Sequence, residues 1–181
     1  MRPAWSIIFF TSISGLGFGL AAWAVLGFVD LVHPQQIFGV GGLVMLLISA
    51  GLLSSTLHLG HPERAWRALS QWRSSWLSRE GVLAVLAMLA LVGWGWHVFA
   101  IGTPPLWANI APALLMAVTV YATSMIYASL KTVAHWHHPL TPICYLMFAA
   151  SSGLLAMLLV LALLGQPVTE ALSLAAMLAV A

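Results

Sequence analysis

Long apolar runs alternate with short polar segments along the whole of this 181-residue chain. Each run approaches the roughly 20 residues that an α-helix needs to cross a bilayer core about 30 Å thick. The pattern predicts six spans, at approximately 5–29, 37–57, 81–101, 107–130, 143–164 and 168–181. The sixth run is short for a crossing, so we expect the natural polypeptide to continue beyond it.

Composition supports a membrane protein rather than a soluble one. Hydrophobic residues make up 62% of the chain, charged residues only 6%, and the mean hydropathy is +1.02. Soluble domains carry about 25% charged residues. We therefore predict an all-α, polytopic transmembrane helix bundle that forms a single domain over residues 1–181. The small excess of Lys and Arg indicates topology in the lipid bilayer, and no nucleic-acid partner is expected.

The segment between the second and third spans, residues 58–80, holds six of the chain's ten formally charged residues. Because Pro62 suits the first turn of a helix, we predict an interfacial amphipathic helix over approximately residues 62–77. Ser78 is the predicted N-cap of the third span, with Glu80 in its first turn. Apolar residues at spacings of three and four share one face of the interfacial helix: Trp66, Leu69, Trp72 and Trp76.

Basic residues predict the orientation of the bundle. With a cytoplasmic N-terminus, Arg2, Lys131 and the arginines of residues 58–80 all lie on the cytoplasmic side, as the positive-inside rule requires. The same order of spans brings segments 58–80 and 131–142 to one side of the membrane. We predict that these two polar segments form one site.

Gly15, Gly17 and Gly19 lie inside the first span. A nucleotide-binding loop of this spacing requires a preceding strand and a soluble βαβ unit, and neither is predicted here. Gly15 and Gly19 are one helical turn apart, so we expect them to allow close contact with another helix.

His58 and Glu80 are the candidate proton-transfer residues. His58 either caps the end of the second span through its charge or hydrogen-bonds a quinone carbonyl and exchanges a proton with it. Histidine suits the second role because it titrates near neutral pH. Glu80 either complements the amino end of the third span or relays protons. Ionisable groups near membrane depth are functional candidates by default.

The remaining polar residues have topology or the interface as their simplest explanation. The arginines can also dock an acidic partner surface or stabilise a quinone anion; they are Arg64, Arg67, Arg73 and Arg79. Residues 131–138 form the second polar patch, with Lys131, His135, Trp136, His137 and His138. Because His137 and His138 are adjacent, we do not expect both to face one ligand.

Metal and haem sites are not predicted. A zinc site would require His58, His61 and His135 to converge without a carboxylate spacing motif. Axial haem ligands project into a bundle from facing helices. The histidines of this chain fall at predicted helix ends or in turns. The single cysteine, Cys144, excludes an internal disulfide and a cysteine-ligated cluster held by this chain alone.

Two stretches resemble the DMSO reductase membrane-anchor subunit family of molybdopterin oxidoreductases. The first is Leu57–His58–Leu59–Gly60 with Pro62, Arg64–Ala65 and Trp66, followed by Leu77–Ser78 and Glu80. The second is Tyr127, Ser129, Thr132–Val133, Trp136 and Thr141–Pro142. The resemblance covers roughly residues 40–150. The string SQWRSSWLSREG looks most like the branch that anchors sulfite-oxidising complexes.

This resemblance implies a haem-free subunit of normally eight spans, located in the bacterial inner membrane. It implies two partners, an iron–sulfur subunit and a molybdopterin catalytic subunit, and electron exchange with ubiquinone or menaquinone. By position, His58 matches the family's quinol-site histidine, Glu80 its acidic residue at the start of the next span, and Arg64 a basic residue of the same loop. Lys131 departs from the reductase pattern, which has an acidic residue there.

We therefore expect a quinone-reactive anchor subunit that reduces quinone during sulfite oxidation. The expected quinone-binding residues are His58, Arg64, Trp66, Tyr127 and Trp136, and the expected docking residues are Arg67, Arg73, Arg79 and Lys131. The alternatives are quinol oxidation for a DMSO-type reductase, a haem b-carrying anchor, a purely structural anchor and a transporter. A transporter requires polar groups at the bilayer midplane, and these spans are polar mainly at their ends.

Overall fold

The computed structural model describes residues 5–31, 33–56, 62–169, 172, 173 and 175, with the side chains of residues 56, 62–65 and 68 outside this description. Within these ranges the regular elements are all helical. The long helices are α1 (Trp5–Trp23), α2 (Pro34–Thr56), α3 (Trp76–Ala100), α4 (Leu106–Ala128) and α5 (Leu140–Leu164). A π-helical turn, Ala24–Phe28, extends α1, and a 3₁₀ helix, Pro62–Gln71, precedes α3.

Five described helices are long and apolar enough to cross a membrane. The prediction of a polytopic helical bundle is therefore confirmed. Most of the predicted sixth span, residues 168–181, lies outside the described residues.

Helix α1 occupies the centre of the bundle, where it packs against α2, α4 and α5. Five consecutive residues from Gly17 to Ala21 are buried. These five residues exceed one helical turn, so this part of α1 is buried around its whole circumference, and the helix contains no charged residue over Trp5–Trp23.

Glycines allow the backbone of α1 to touch its neighbours. A Cβ atom added at Gly19 would overlap the carbonyl oxygen of Ala149 in α5, and one added at Gly153 would overlap the carbonyl carbon of Gly19. A Cβ at Gly51 of α2 would lie 2.6 Å from the backbone nitrogen of Ser14. Small residues at a crossing are what membrane helices use to approach closely. The predicted close contact is confirmed at Gly19, whereas Gly15 is looser, with its nearest atom at 4.0 Å.

Two hydrogen bonds join the segments that follow α1 and α5, at the end of the bundle opposite residues 62–76; we call this pair of bonds the clasp. Asp30 N–H donates to Gln166 Oε1 at 3.0 Å, and Gln166 Nε2 donates to the Asp30 carbonyl oxygen at 2.7 Å. The backbone turns toward this position at Gly27, near the end of the π-helical turn, where φ is +91°, a conformation that costs glycine little.

The start of α3 differs from the prediction. The helix begins at Trp76, and its N-cap is Ser75, whose side chain accepts a 3.4 Å hydrogen bond from Ser78 N–H. Ser78 is therefore not the N-cap, and its buried hydroxyl has no hydrogen-bond partner among the described residues. The interfacial helix is also shorter than predicted: it is a 3₁₀ helix that ends at Gln71. Trp76 belongs to α3 instead.

Replacing Gly19 by alanine tests the crossing of α1 and α5. We expect Gly19→Ala to lower the free energy of unfolding by about 1–3 kcal/mol, because the new methyl group overlaps backbone atoms that have no room to move. Denaturant titration in mixed micelles measures this change. The matched control is Gly15→Ala, one turn away in the same helix, which meets only ordinary contact distances. Equal losses for the two variants would contradict the proposed crossing.

Candidate functional site

Glu80 is an acidic side chain enclosed by the helix bundle. Its side chain is only 3% exposed. Because α3 begins at Trp76, Glu80 lies in the second turn rather than the predicted first turn. The helix dipole stabilises a negative charge mainly within the first turn of a helix. A favourable interaction with the dipole therefore explains the presence of Glu80 less well than it would at the predicted position. A buried acidic group within a membrane span is a functional candidate.

Thr123 of α4 is the hydrogen-bond partner of Glu80. Its Oγ1 lies 2.5 Å from Glu80 Oε1 and 3.1 Å from the carbonyl oxygen of Thr119. A hydroxyl has one hydrogen to donate and can also accept. When Glu80 is ionised, Thr123 donates to it; when Glu80 is protonated, Glu80 donates to Thr123, which then donates to Thr119. The same heavy-atom positions therefore satisfy both protonation states.

An aromatic cluster lies beside this pair. The rings of Tyr127 and Tyr145 stack with centroids 5.6 Å apart, and Trp136 meets Tyr127 edge-on at 5.4 Å. Tyr127 follows Thr123 by one turn on the same face of α4, so the cluster lies next to the pair of Thr123 and Glu80. The predicted residues Tyr127, Trp136 and Glu80 are thus brought together, with Tyr145 as an unpredicted member.

A cavity of about 480 Å³ lies between α1, α4 and α5. Six hydroxyl-bearing side chains line it: Thr11, Ser12, Ser14, Thr123, Tyr145 and Ser152. A second cavity, of about 300 Å³ between α2 and α3, has apolar and aromatic side chains and glycines as its lining. Only the first of these two cavities therefore combines apolar walls with several polar groups, as small-molecule sites do.

Sequence reasoning missed Thr123, Tyr145 and the hydroxyls of α1 and α5, which seemed scattered along apolar spans. One signal was available for Thr123. It precedes Tyr127 by four residues, so the two share a face of α4. The pairing of Thr123 with Glu80, 43 residues earlier, needed the packing of α3 on α4.

Some of the predicted site residues lie outside the part of the chain that the structure describes. His58 lies outside the described residues, as do His61 and the backbone of residues 57–61. The side chain of Arg64 is likewise outside the description. Trp66 is described and 67% exposed, with the Arg67 guanidinium 5.5 Å from its ring centroid.

Arg79 makes local contacts that were not predicted. Its Nε donates to the Trp72 carbonyl oxygen at 3.0 Å, and its Nη2 donates to the Arg73 carbonyl oxygen at 2.7 Å. Its guanidinium also lies 4.3 Å from the centroid of the Trp76 ring. These contacts hold the turn that leads into α3. The side chains of Arg73 and Lys131 are exposed. Docking of a partner subunit on Arg73, Arg79 and Lys131 stays a prediction.

The adjacent histidines of the 131–138 segment face different helices. His137 Nδ1 lies 2.6 Å from the Ala128 carbonyl oxygen, so this nitrogen carries a hydrogen and donates at the end of α4. His138 Nδ1 accepts from Leu140 N–H at 3.1 Å, at the start of α5. The two rings therefore carry their Nδ1 atoms in opposite hydrogen-bonding roles. His135 is exposed.

Comparison with known proteins identifies a family. The family model described as DMSO reductase anchor subunit (DmsC) matches residues 1–181. The chain is 36% identical to the C subunit of the sulfite dehydrogenase of Allochromatium vinosum, over 92% of this chain and 58% of that protein. It is 27% identical to the C polypeptide of the anaerobic dimethyl sulfoxide reductase of Haemophilus influenzae, over 82% of this chain and 55% of that protein.

A further relative is the C polypeptide of the anaerobic dimethyl sulfoxide reductase of Escherichia coli, which is 28% identical over 89% of this chain and 58% of its own length. The chain thus spans little more than half the length of the curated relatives it matches. No solved structure matches it.

Exchanging Arg79 for lysine separates its local contacts from its charge. Lysine keeps the charge but lacks the planar fork that reaches two carbonyl oxygens while lying over an aromatic ring. We expect Arg79→Lys to lower the free energy of unfolding by about 1 kcal/mol. The control, Arg73→Lys, alters an exposed side chain and should change it by less than about 0.5 kcal/mol. Thermal unfolding followed by tryptophan fluorescence measures both, and indistinguishable variants would refute the local role.

Proposed function

This chain belongs to the DMSO reductase anchor subunit family, and we propose that it is the quinone-reactive membrane subunit of an oxidoreductase complex. In this proposal it holds an iron–sulfur subunit and a molybdopterin catalytic subunit at the cytoplasmic face of a bacterial inner membrane. It passes electrons between the iron–sulfur subunit and the quinone pool.

The observation that carries the proposal is the buried pair of Glu80 and Thr123 beside the Tyr127–Tyr145–Trp136 cluster. A purely structural anchor gains little from an acid inside the bundle, because burying an ionisable group is costly unless it is well paired. Quinone chemistry, in contrast, requires protons to reach an apolar site. An acid whose hydrogen bonding is satisfied in both protonation states suits that task.

Quinone reduction consumes two electrons and two protons, and it yields the quinol. The electrons come one at a time from the iron–sulfur partner, and the protons come from side chains of the membrane subunit. His58 hydrogen-bonds one quinone carbonyl and gives it a proton, since an imidazole exchanges protons near neutral pH. Glu80 delivers the second proton and regains one from cytoplasmic water. Quinol oxidation is the same set of steps in reverse.

Exposed basic side chains support the position proposed for the partners. Arg67, Arg73 and Lys131 are exposed in segments that the order of spans brings to one end of the bundle. The positive-inside rule makes that end cytoplasmic. Acidic surfaces of a soluble subunit can dock on such residues, and docking at this end keeps the electron path to the quinone short.

Quinone reduction during sulfite oxidation is the direction we favour. Its support is the higher identity to a sulfite dehydrogenase polypeptide, 36%, than to the two dimethyl sulfoxide reductase polypeptides, 27% and 28%. Quinol oxidation for a DMSO-type reductase is the alternative. Adding sulfite or a sulfoxide to the purified complex, with quinone or quinol, distinguishes the two.

Replacing Glu80 by glutamine tests the proton relay. The amide keeps the shape and a hydrogen bond to Thr123 but carries no transferable proton, so we expect quinone-linked turnover to fall by about 100-fold or more. Activity of the complex with a soluble artificial dye should persist, because the dye bypasses the membrane site. The control is Asp30→Asn, an exposed acidic residue at the other end of the bundle. Unaltered quinone turnover in Glu80→Gln would refute the relay.

Replacing His58 by alanine tests the quinone contact itself. We expect quinone-linked turnover to be lost while dye activity is retained, because the residue that protonates the first quinone oxygen is missing and the catalytic subunits are unchanged. Both activities are measured on the same purified complex. Loss of both would indicate failed assembly, and retention of both would point to a structural anchor. A reducible b-type absorption spectrum of the wild-type complex would instead favour the haem-carrying alternative.

A further inference from the structure

We propose that the quinone ring binds in the 480 Å³ cavity between α1, α4 and α5, and that Thr123 connects it to Glu80. This inference rests on the proposed function and deepens it. It moves the ring from the exposed Trp66 of the 62–71 helix to a cavity among residues of three membrane-spanning helices.

The cavity lies in the half of the bundle where the chemistry is expected. It is lined by residues of the middle of α1, the last part of α4 and the first half of α5. The α4 and α5 parts lie toward the end that carries the 131–139 segment, which joins these two helices. Glu80, near the start of α3, lies at this end as well.

The inner end of the cavity is closed by the crossing of α1 and α5. Gly15 and Ala149 line the cavity, whereas Gly19 and Gly153, one turn deeper, are in backbone contact and line no part of it. The contact between Gly19 and Gly153 therefore limits how deeply a flat ring can enter the cavity. The volume lies within the range of small-molecule sites, about 300–1,000 Å³, and accommodates a quinone ring with the first units of its tail.

Two side chains of the lining can donate to the two carbonyl oxygens of a quinone, namely Thr123 and Tyr145. The hydroxyls of Thr11, Ser14 and Ser152 instead donate to carbonyl oxygens of their own helices. The Tyr145 phenol donates to one quinone oxygen in this proposal, and its ring is held by stacking on Tyr127. The tail then leaves the cavity along its apolar walls.

Thr123 is the residue that both lines the cavity and contacts Glu80. As the ring takes up two electrons from the iron–sulfur partner, one of its oxygens takes the hydroxyl proton of Thr123. Thr123 takes the proton of Glu80 in the same step, which leaves Glu80 ionised and accepting from Thr123. The other oxygen receives its proton from His58, so two electrons and two protons convert quinone to quinol.

Photolabelling of the complete complex with a short-tailed azidoquinone locates the ring. We expect cross-links on peptides of α1, α4 and α5 that line the cavity, and their loss when excess unlabelled quinone is added. Ser12→Phe places a ring at the exposed edge of the cavity and should abolish this protectable labelling. Ile8→Phe, one turn earlier on α1 and outside the lining, should not.

Thr123→Val tests the connection to Glu80. We expect labelling to persist and quinone-linked turnover to fall by about 10- to 100-fold, with dye activity intact. Thr123→Ser should restore turnover because it restores the hydroxyl. Thr119→Val is the matched control, since Thr119 is a buried threonine of α4 whose hydroxyl donates only to the Leu115 carbonyl oxygen among the described residues.

The outcomes separate this inference from the function on which it rests. Protectable labels confined to residues 62–76 and 131–138, unchanged by Ser12→Phe, would overturn the cavity site and leave a quinone-reactive subunit. Turnover in Thr123→Val equal to that in Thr119→Val would overturn the Thr123 connection. Absence of protectable labelling anywhere on this chain would overturn both the inference and the proposed function.

Discussion

Direct contact between the backbones of α1 and α5 at Gly19 and Gly153 is the constraint on which the arrangement of the bundle depends. Membrane helices gain no hydrophobic free energy by leaving lipid for one another, so close packing has to hold them together. Glycines on several sides of α1 allow this packing, with Ile48 of α2 resting over Gly17 in addition. Helices α2 and α4 also pack on α1, and α3 packs on α4 and α2. Where α1 and α5 diverge from their crossing, space remains for the hydroxyl-lined cavity.

A second constraint is that polar groups inside the bundle must find partners there. Glu80 is directed at α4 because the Ser75 cap and the Arg79 contacts start α3 at Trp76, which fixes the rotation of the helix. Thr123 then satisfies the carboxyl group. The polar turn and the buried acid are therefore parts of one local arrangement, and the aromatic residues of α4 and α5 surround it.

Hydropathy predicted the membrane-spanning helices well, since span length and apolar composition are properties of single segments. The spacing of Gly15 and Gly19 likewise predicted a helix crossing, because it depends only on helical periodicity. The sequence does not distinguish Ser75 from Ser78 as the N-cap of α3, because both are suitable residues and the choice depends on where the chain turns. Thr123 and Tyr145 are not predictable from the sequence, because their significance lies in contacts with other helices. Such contacts are set by packing, which periodicity along one helix does not specify.

The clasp between Asp30 and Gln166 has a mechanical consequence when it is considered with the glycine crossing. Helices α1 and α5 are attached at two levels, once in the membrane interior and once at their far ends. Two attachments at different levels oppose both translation of the two helices along each other and separation of their ends. These two walls of the cavity are therefore held to each other more firmly than either is held to α4. A bulky molecule is thus expected to widen the cavity by displacing α4, the wall that carries Thr123.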